Sequence, residues 1–210
     1  MGAGRPRSFD IDKALQSALD VFLSKGYDGA SLADLTQAMG INPPSLYAAF
    51  GNKEGLFREA LRRYEGERDD LIARALNAPT AAEFVERYLR GGVEGQTPDD
   101  RSHGCLFVQG SVACGDQGLE LRKALSLAQS SGHAALTARL HDAQAAGEIS
   151  QDVEIASLVR FVDMAVKGLA VQAAGGAQRE ELLATVEMTM KAWPGMTKAK
   201  APRRAKAAGR

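Results

Sequence analysis

The chain has 210 residues, of which 45% are hydrophobic and 25% are charged, a balance typical of a folded protein with a real core. Its 26 basic and 26 acidic residues cancel, which excludes a strongly basic chain that would attract a polyanion through its overall field. The longest apolar stretch, FVDMAVKGLAVQAA, is interrupted by Asp163 and Lys167, so no membrane-spanning segment is predicted.

Cysteine content and the first residues indicate a compartment. The chain has two cysteines, Cys105 and Cys114, and its first residues lack the apolar run of a secretory signal. Both features are typical of reducing surroundings. We therefore expect a cytoplasmic protein.

The first predicted helix follows an arginine-containing arm. The stretch GAGRPRSF combines Arg5 and Arg7 with glycine and proline, which are poor helix formers. Asp10 is expected to cap a helix that runs to Lys25, and Gly26 is expected to end it.

Two short helices separated by a glycine turn are predicted in SLADLTQAMGINPPSLYAAF. Ser31 can accept a hydrogen bond from the first turn, and Gly40 supplies the left-handed conformation that ends the first helix. Asn42 is expected to cap the second helix, where Pro43 and Pro44 occupy positions whose N–H groups would lack a helical partner. This pattern predicts a helix-turn-helix, whose second helix binds in the DNA major groove.

The segment KGYDGASLADLTQAMGINPPSLYAAFGNKEGLF resembles the TetR family of bacterial one-component repressors. The glycine turn, the SLY triplet, Phe50 and Lys53 stand at the family's spacing, and GCLFV and GLAVQAAGGA are weaker similarities. The resemblance implies a homodimer bound to a near-palindromic operator in double-stranded DNA. It also implies a C-terminal cavity for an effector of unknown identity, whose binding releases the DNA.

Phosphate contacts are implied by the same resemblance at Ser31, Tyr47 and Lys53. These positions also suit anions, because Ser31 and Lys53 lie at helix N-termini, where free N–H groups bind negative charge. For Tyr47 the alternative is a half-buried ring between helices, and for Ser31 it is a plain helix cap.

The exposed face of the second helix predicts how bases are distinguished. It offers no Arg, Lys or Gln, so bidentate recognition of guanine is not available from this helix. We expect apolar contacts with thymine methyl groups by Pro44 and Ala48, hydrogen bonds from neighbouring polar side chains, and a contribution from DNA shape. Arginines of the arm either enter the minor groove or belong to a solvated terminus. The predicted DNA-binding residues are Arg5, Arg7, Ser31, Asn42, Pro43, Pro44, Ser45, Tyr47, Ala48 and Lys53.

Helical periodicity continues along the rest of the chain. Helices are expected from Asn52 to beyond Ile72, around FVERYL, over residues 119–146, from Asp152, and over residues 182–193. The stretch GGVEGQTPDDRSHG is predicted to be a loop, and GCLFVQGSVAC a short apolar helix. Since no alternating strand pattern appears, the fold class is all-α, with about nine helices.

Three parts are predicted. Residues 1–63 form a three-helix DNA-binding domain with the helix-turn-helix at 31–50, and residues 64–196 form a helical ligand-binding and dimerisation domain. Residues 197–210 form a disordered tail with six basic and no acidic residues. The tail is either solvated or a nonspecific contact to DNA phosphates.

An apolar effector pocket is expected among the middle helices, where any single residue is alternatively ordinary core. Cys105 follows a glycine and lies near His103, which suggests either an accessible, low-pKa thiol that senses electrophiles or oxidants, or a buried cysteine. Cys114 is too far along one continuous helix for a disulfide with Cys105. The predicted pocket residues are Tyr88, Cys105, Phe107, Val108, Phe161 and Met164.

The dimer interface is expected on the last two long helices. Small residues there permit close approach, while larger apolar residues supply area; the alternative is an intramolecular core. The predicted interface residues are Gly168, Leu169, Ala170, Ala173, Ala174, Val186, Met190 and Trp193.

Two other functions stay open from the sequence. One is a helical small-molecule or redox-binding protein without specific DNA binding, which the near-neutral residues 1–63 favour, with eight basic and seven acidic side chains. The other is a helical enzyme, which the sequence disfavours because it has no phosphate-binding glycine loop, nucleophile elbow or HExxH. His103, His133 and His141 do not form a metal-binding pattern, and neither metal nor cofactor is predicted.

Overall fold

The computed structural model describes residues 9–98, 104–108 and 119–198. Within these ranges the chain is helical and contains no strand, so the all-α prediction is confirmed. Residues 106–108 form a helical segment in addition to eight longer helices. No helix in the described ranges is long and apolar enough to cross a membrane. The longer helices are α1 (Ile11–Gly29), α2 (Leu32–Met39), α3 (Pro43–Phe50), α4 (Lys53–Leu76), α5 (Ala81–Gln96), α6 (Leu119–Ala145), α7 (Ile155–Ala174) and α8 (Arg179–Thr197).

Helix α1 begins as predicted and ends later. The Asp10 side chain accepts hydrogen bonds from the backbone N–H groups of Asp12 and Lys13 at 3.0 and 3.2 Å. The sequence predicts an end at Lys25, but α1 resumes after a break at Gly26, whose φ is 69°. Glycine adopts this left-handed conformation without a Cβ penalty, so the helix changes direction there and continues to Gly29.

A small core holds α1 to α4 together. The side chains of Phe22, Leu35, Leu46 and Phe57 are fully buried, and the Phe22 and Phe57 rings meet edge to face at 4.9 Å between centroids. Edge-to-face aromatic pairs are favourable beyond the area that they bury. Because α3 has a single buried residue, Leu46, the rest of this short helix is left at the surface.

Helix α4 connects this core to the remainder of the chain. It has 24 residues and is therefore about 36 Å long. Leu56 and Leu61 belong to the first core, whereas Ala75 belongs to a second core built mainly on α5 to α8. The predicted domain division at residue 63 falls inside α4, and it stays a prediction.

Helix α5 extends into the segment that was predicted to be a loop. The sequence GGVEGQ, expected to be the start of the loop, forms the last turns of α5 down to Gln96. The helix tolerates these glycines partly because packing fixes its buried face: Phe84, Leu89 and Val93 lie in the second core. Tertiary packing routinely overrides local propensity.

The C-terminal helices depart from the prediction at two ends. Asp152 lies in a turn, and α7 begins at Ile155 after the N-cap residue Glu154. Thr197, which the prediction assigned to the tail, is the last residue of α8. It is buried, and its carbonyl oxygen accepts a hydrogen bond from the backbone N–H of Ser150 at 2.9 Å.

Candidate nucleic-acid interface and ligand cavity

Helix α2 has the predicted cap at its N-terminus. The backbone N–H of Asp34 donates to Ser31 Oγ at 3.0 Å, and the Ser31 N–H donates to the Asp34 carboxylate at 3.1 Å. This reciprocal pair satisfies two N–H groups that a helix leaves open. Lys25 also lies 2.6 Å from Asp34, and hydrogen bonds from Lys25 and Ser31 lower the pKa of Asp34 to about 2.

The turn between α2 and α3 is built on Gly40 and Asn42. Gly40 has a φ of 64°, and the Asn42 side-chain oxygen accepts a hydrogen bond from the backbone N–H of Ser45 at 2.9 Å. The same oxygen is therefore occupied by the cap, and only the Asn42 amide nitrogen can donate elsewhere. Both predicted boundaries of α3 are confirmed, since the helix runs from Pro43 to Phe50.

The outward face of α3 is open to solvent. Asn42, Pro43, Pro44 and Ala48 are exposed, and Ser45 is half-buried. The Tyr47 side chain is 47% exposed, which leaves its hydroxyl accessible. The structure therefore brings these predicted DNA-binding residues to one surface. Two of the predicted residues, Arg5 and Arg7, lie outside the described residues.

Lys53, the first residue of α4, is positioned by an aromatic ring. Its Nζ lies 4.5 Å from the centroid of the Tyr27 ring, within the range of a cation–π interaction. Partial burial lowers the pKa of Lys53, an effect that the Asp28 carboxylate opposes. Tyr27 was not among the predicted site residues, although its position one residue after Gly26 places it directly beyond the break in α1.

A cavity of about 570 Å³ lies among α4, α5, α6, α7 and residues 105–108. Four of the six predicted pocket residues line it: Tyr88, Cys105, Phe107 and Val108. The other two predictions are corrected. Phe161 packs against the second core, and Met164 is exposed on the outer side of α7. The residue spacing within α7 did not indicate which side faced the cavity.

Cys105 is buried in the cavity wall, so the alternative of a buried cysteine applies in place of the openly accessible thiol. The Tyr64 hydroxyl donates to Cys105 Sγ at 3.3 Å, and the Tyr64 ring lies 5.2 Å from the Phe107 ring. Burial and the neighbouring Cys105 raise the pKa of Tyr64 well above its usual value. His103 and Cys114 lie outside the described residues.

The wall of the cavity also contains charged and polar groups. Arg68 donates to the Ala128 carbonyl at 2.7 Å and to Ser131 Oγ at 2.6 Å. His133 Nδ1 lies 2.8 Å from an Asp163 carboxylate oxygen. Burial, together with the Asp163 charge, raises the pKa of Tyr88 to about 12, so its phenol stays neutral.

These polar wall residues were missed, although α4 carried a signal. Tyr64, Arg68 and Leu71 recur at four and three residues, which places them on one face of a helix. A charged residue within such a face points to a polar partner opposite it. The partner could not be named from the sequence, because α6 lies 60 residues further along the chain.

Most of the residues predicted for the dimer interface are buried within the chain itself, which corrects the prediction for them. Leu169, Ala170, Ala173, Val186 and Trp193 lie in the chain's own cores and are not available to a second chain. Of the others, Gly168 and Met190 are half-buried, and Ala174 is exposed. The exposed large apolar residues of α7 and α8 are Met164, Val171 and Met188.

No group of three or more His, Cys, Asp or Glu side chains suited to a metal ion occurs in the described parts of the chain.

Two protein-family models match this chain, one in each part. The family model described as "Bacterial regulatory proteins, tetR family" matches residues 14–60, which include α2 and α3. The model described as "Tetracyclin repressor-like, C-terminal domain" matches residues 82–181, which include most of the cavity wall.

The similarity to individual relatives extends over most of the chain. The chain is 31% identical to the HTH-type transcriptional repressor ComR of Escherichia coli (strain K12) over 93% of this chain and 94% of that protein. It is 33% identical to the repressor BdcR of the same organism, over 88% and 89% of the two chains. A solved structure of a cysteine mutant of the TetR family transcriptional regulator CifR, complexed with 26-base-pair operator DNA, is 44% identical. It covers 90% of this chain and 100% of its own, with a TM-score of 0.81.

Proposed function

Because this chain belongs to the TetR family and is a DNA-binding transcriptional regulator, we propose that it is a homodimeric repressor that a small molecule releases from a palindromic operator. The main support for this proposal is that one helix, α4, extends from the proposed DNA-binding surface to the cavity. Its first residue, Lys53, belongs to the proposed DNA-binding surface, and Tyr64 and Arg68 of the same helix line the cavity. A ligand that moves α4 therefore moves the DNA-binding surface.

Operator binding is supported by the geometry around α3. Tyr47 and Ala48 are accessible on its outward face, and Ser31 and Lys53 lie at helix N-termini, where N–H groups favour phosphate. We propose that Ser31, Tyr47 and Lys53 bind phosphates and that α3 contacts base edges. CifR, the similar regulator of known structure, is complexed with a double-stranded operator.

Dimerisation is proposed through the exposed apolar faces of α7 and α8. Met164 and Val171 are seven residues apart and share one face of α7, and Met188 is 64% exposed on α8. Two copies related by a two-fold axis would place two α3 helices against the two halves of a palindrome.

A gel shift against the promoter of the protein's own gene, combined with a footprint, tests the function. We expect a saturable shift and protection of two symmetric half-sites in successive major grooves. A chain that binds small molecules but gives no specific shift would instead support the alternative, a helical ligand-binding protein without operator recognition.

Release by an electrophile is a second candidate, because Cys105 Sγ lies in the cavity wall. A reactive effector that enters the cavity would alkylate this sulfur. In that case Cys105→Ser keeps operator binding and loses release by an alkylating agent such as N-ethylmaleimide. Unchanged release by the agent in the variant would exclude Cys105 as its target.

A further inference from the structure

A strip of glycines in α5 leaves room in the cavity wall. Gly91, Gly92 and Gly95 all line the cavity, although glycine destabilises a helix relative to alanine. Packing explains Gly91, since an added Cβ would lie 2.7 Å from Leu71 Cδ1. An added Cβ at Gly92 or Gly95 would meet no atom of the described residues within 4 Å. These two glycines therefore keep space open rather than relieve a clash within the protein.

Gln96, the next residue, has an unmet hydrogen-bonding requirement. It lines the same cavity and is almost entirely buried, at 6% exposure. Its Oε1 has no hydrogen-bond partner among the residues that the structure describes. Buried polar atoms in folded proteins are nearly always paired, and an unpaired one is destabilising. An O–H or N–H donor on a bound molecule would satisfy this oxygen.

Three other polar side chains of the wall are already engaged. Arg68 donates to Ala128 and Ser131, and His133 is paired with Asp163. The Tyr64 hydroxyl donates to Cys105. An anionic ligand would have to displace the partners of Arg68 or pair with the exposed Lys167, whereas a neutral donor needs only the carboxamide of Gln96.

We propose that the cavity binds an uncharged, largely apolar molecule whose O–H or N–H group donates to Gln96 and whose body lies along Gly92 and Gly95. The rings of Tyr88 and Phe107, which also line the cavity, supply apolar surface for that body. The identification of this molecule as the effector rests on the function proposed above; its binding does not.

Three probes with one naphthalene body test the chemistry of the ligand by calorimetric titration of the full chain. 2-Naphthol is a neutral donor at neutral pH, 2-methoxynaphthalene is neutral and only accepts, and 2-naphthoate is an anion. We expect 2-naphthol to bind about tenfold more tightly than either of the others, because only it satisfies the buried acceptor. Gln96→Leu should remove this preference and leave 2-methoxynaphthalene binding unchanged. Equal affinities, a preference for the anion, or no saturable binding of 2-naphthol would overturn the proposal.

Alanine substitutions test the glycine strip. Gly92→Ala should raise the Tm by about 2 °C, because alanine favours the helix, and should weaken 2-naphthol binding about tenfold by filling the cavity. Gly66→Ala is the matched control: Gly66 is an exposed glycine inside α4 with no atom within 4 Å of an added Cβ, and it does not line the cavity. It should raise the Tm similarly and leave binding unchanged. Undiminished binding by Gly92→Ala would contradict the role of the strip.

Operator binding by the ligand-free chain separates this proposal from the proposed function. If the chain fails to bind its operator but selects 2-naphthol through Gln96, the repressor proposal fails and the ligand chemistry stands. If it binds the operator and shows no such selection, only the ligand chemistry fails.

Discussion

Lys53, proposed above to bind a phosphate, is held in position by an aromatic ring. The Tyr27 ring holds its ammonium group at 4.5 Å, next to the open N–H groups of α4. We predict that Lys53→Gln weakens binding to specific and nonspecific duplexes alike. The slope of log affinity against log salt should fall by about two, since each of the two chains on the operator loses one phosphate contact.

Lys191→Gln is the control for this measurement, because Lys191 is an exposed lysine of α8 and the charge change is the same. Fluorescence anisotropy at several salt concentrations gives both slopes. An unchanged slope for Lys53→Gln would show that Lys53 does not contact a phosphate.

Asp34 gives a prediction on pH dependence. Hydrogen bonds from Lys25 and Ser31 lower its pKa from 3.8 to about 2 in the folded chain. A lowered folded-state pKa stabilises the fold above pH 4, and this contribution is lost as the pH falls from about 4 toward 2. Asp34→Asn should therefore have a lower Tm than the parent chain at pH 6, and the difference should shrink toward pH 2.

Thermal melting of both chains across this pH range provides the measurement. Asp12→Asn serves as the control at an exposed acidic residue of α1. A difference at Asp34 that stays constant down to pH 2 would contradict the assignment.

At the scale of the element, α3 is a short helix anchored by Leu46 with an uncharged outer face. Pro44 and Ala48 are exposed there, and such groups contact thymine methyl groups. We predict that replacing thymine by uracil weakens binding at one or more positions inside each half-site. The same replacement outside the footprint is the control. An operator in which no replacement has an effect would exclude methyl recognition.

Helix ends were predictable where one side chain determines them. Asn42 caps α3 and Gly40 ends α2 through local geometry, so both ends could be derived from neighbouring residues. The C-terminal half of α5 could not, because its glycines are held by contacts across the fold, such as Gly91 against Leu71. For the same reason, Gln96 had no distinguishing signal in the sequence.

At the scale of the whole molecule, the sequence could not separate core from interface. Helix α7 is apolar on two sides: Leu169 faces the chain's own core, whereas Met164 and Val171 face solvent. Spacing of three and four residues detects an apolar face but not what covers it. The predicted helices occur with several shifted ends, while five of the eight residues chosen for the interface lie in the chain's own cores.

The exposed apolar face of α8 allows a prediction about the oligomeric state. Met188→Glu should convert the dimer to a monomer at micromolar concentration, because it would place two charges near the two-fold axis, and should abolish tight operator binding. Leu127→Glu is the control, since Leu127 of α6 is even more exposed, at 75%. Sedimentation equilibrium measures both variants, and a Met188→Glu chain that remains dimeric would place the interface elsewhere.

In the proposed complex, two copies of this chain place their α3 helices in the two halves of one operator. The most direct test is the mass of the complex formed on the footprinted duplex, measured by sedimentation equilibrium with both half-sites intact and with one scrambled. We expect two chains, or a multiple of two, on the intact site and loss of tight binding when one half is scrambled. A single chain bound with equal affinity to both duplexes would contradict it.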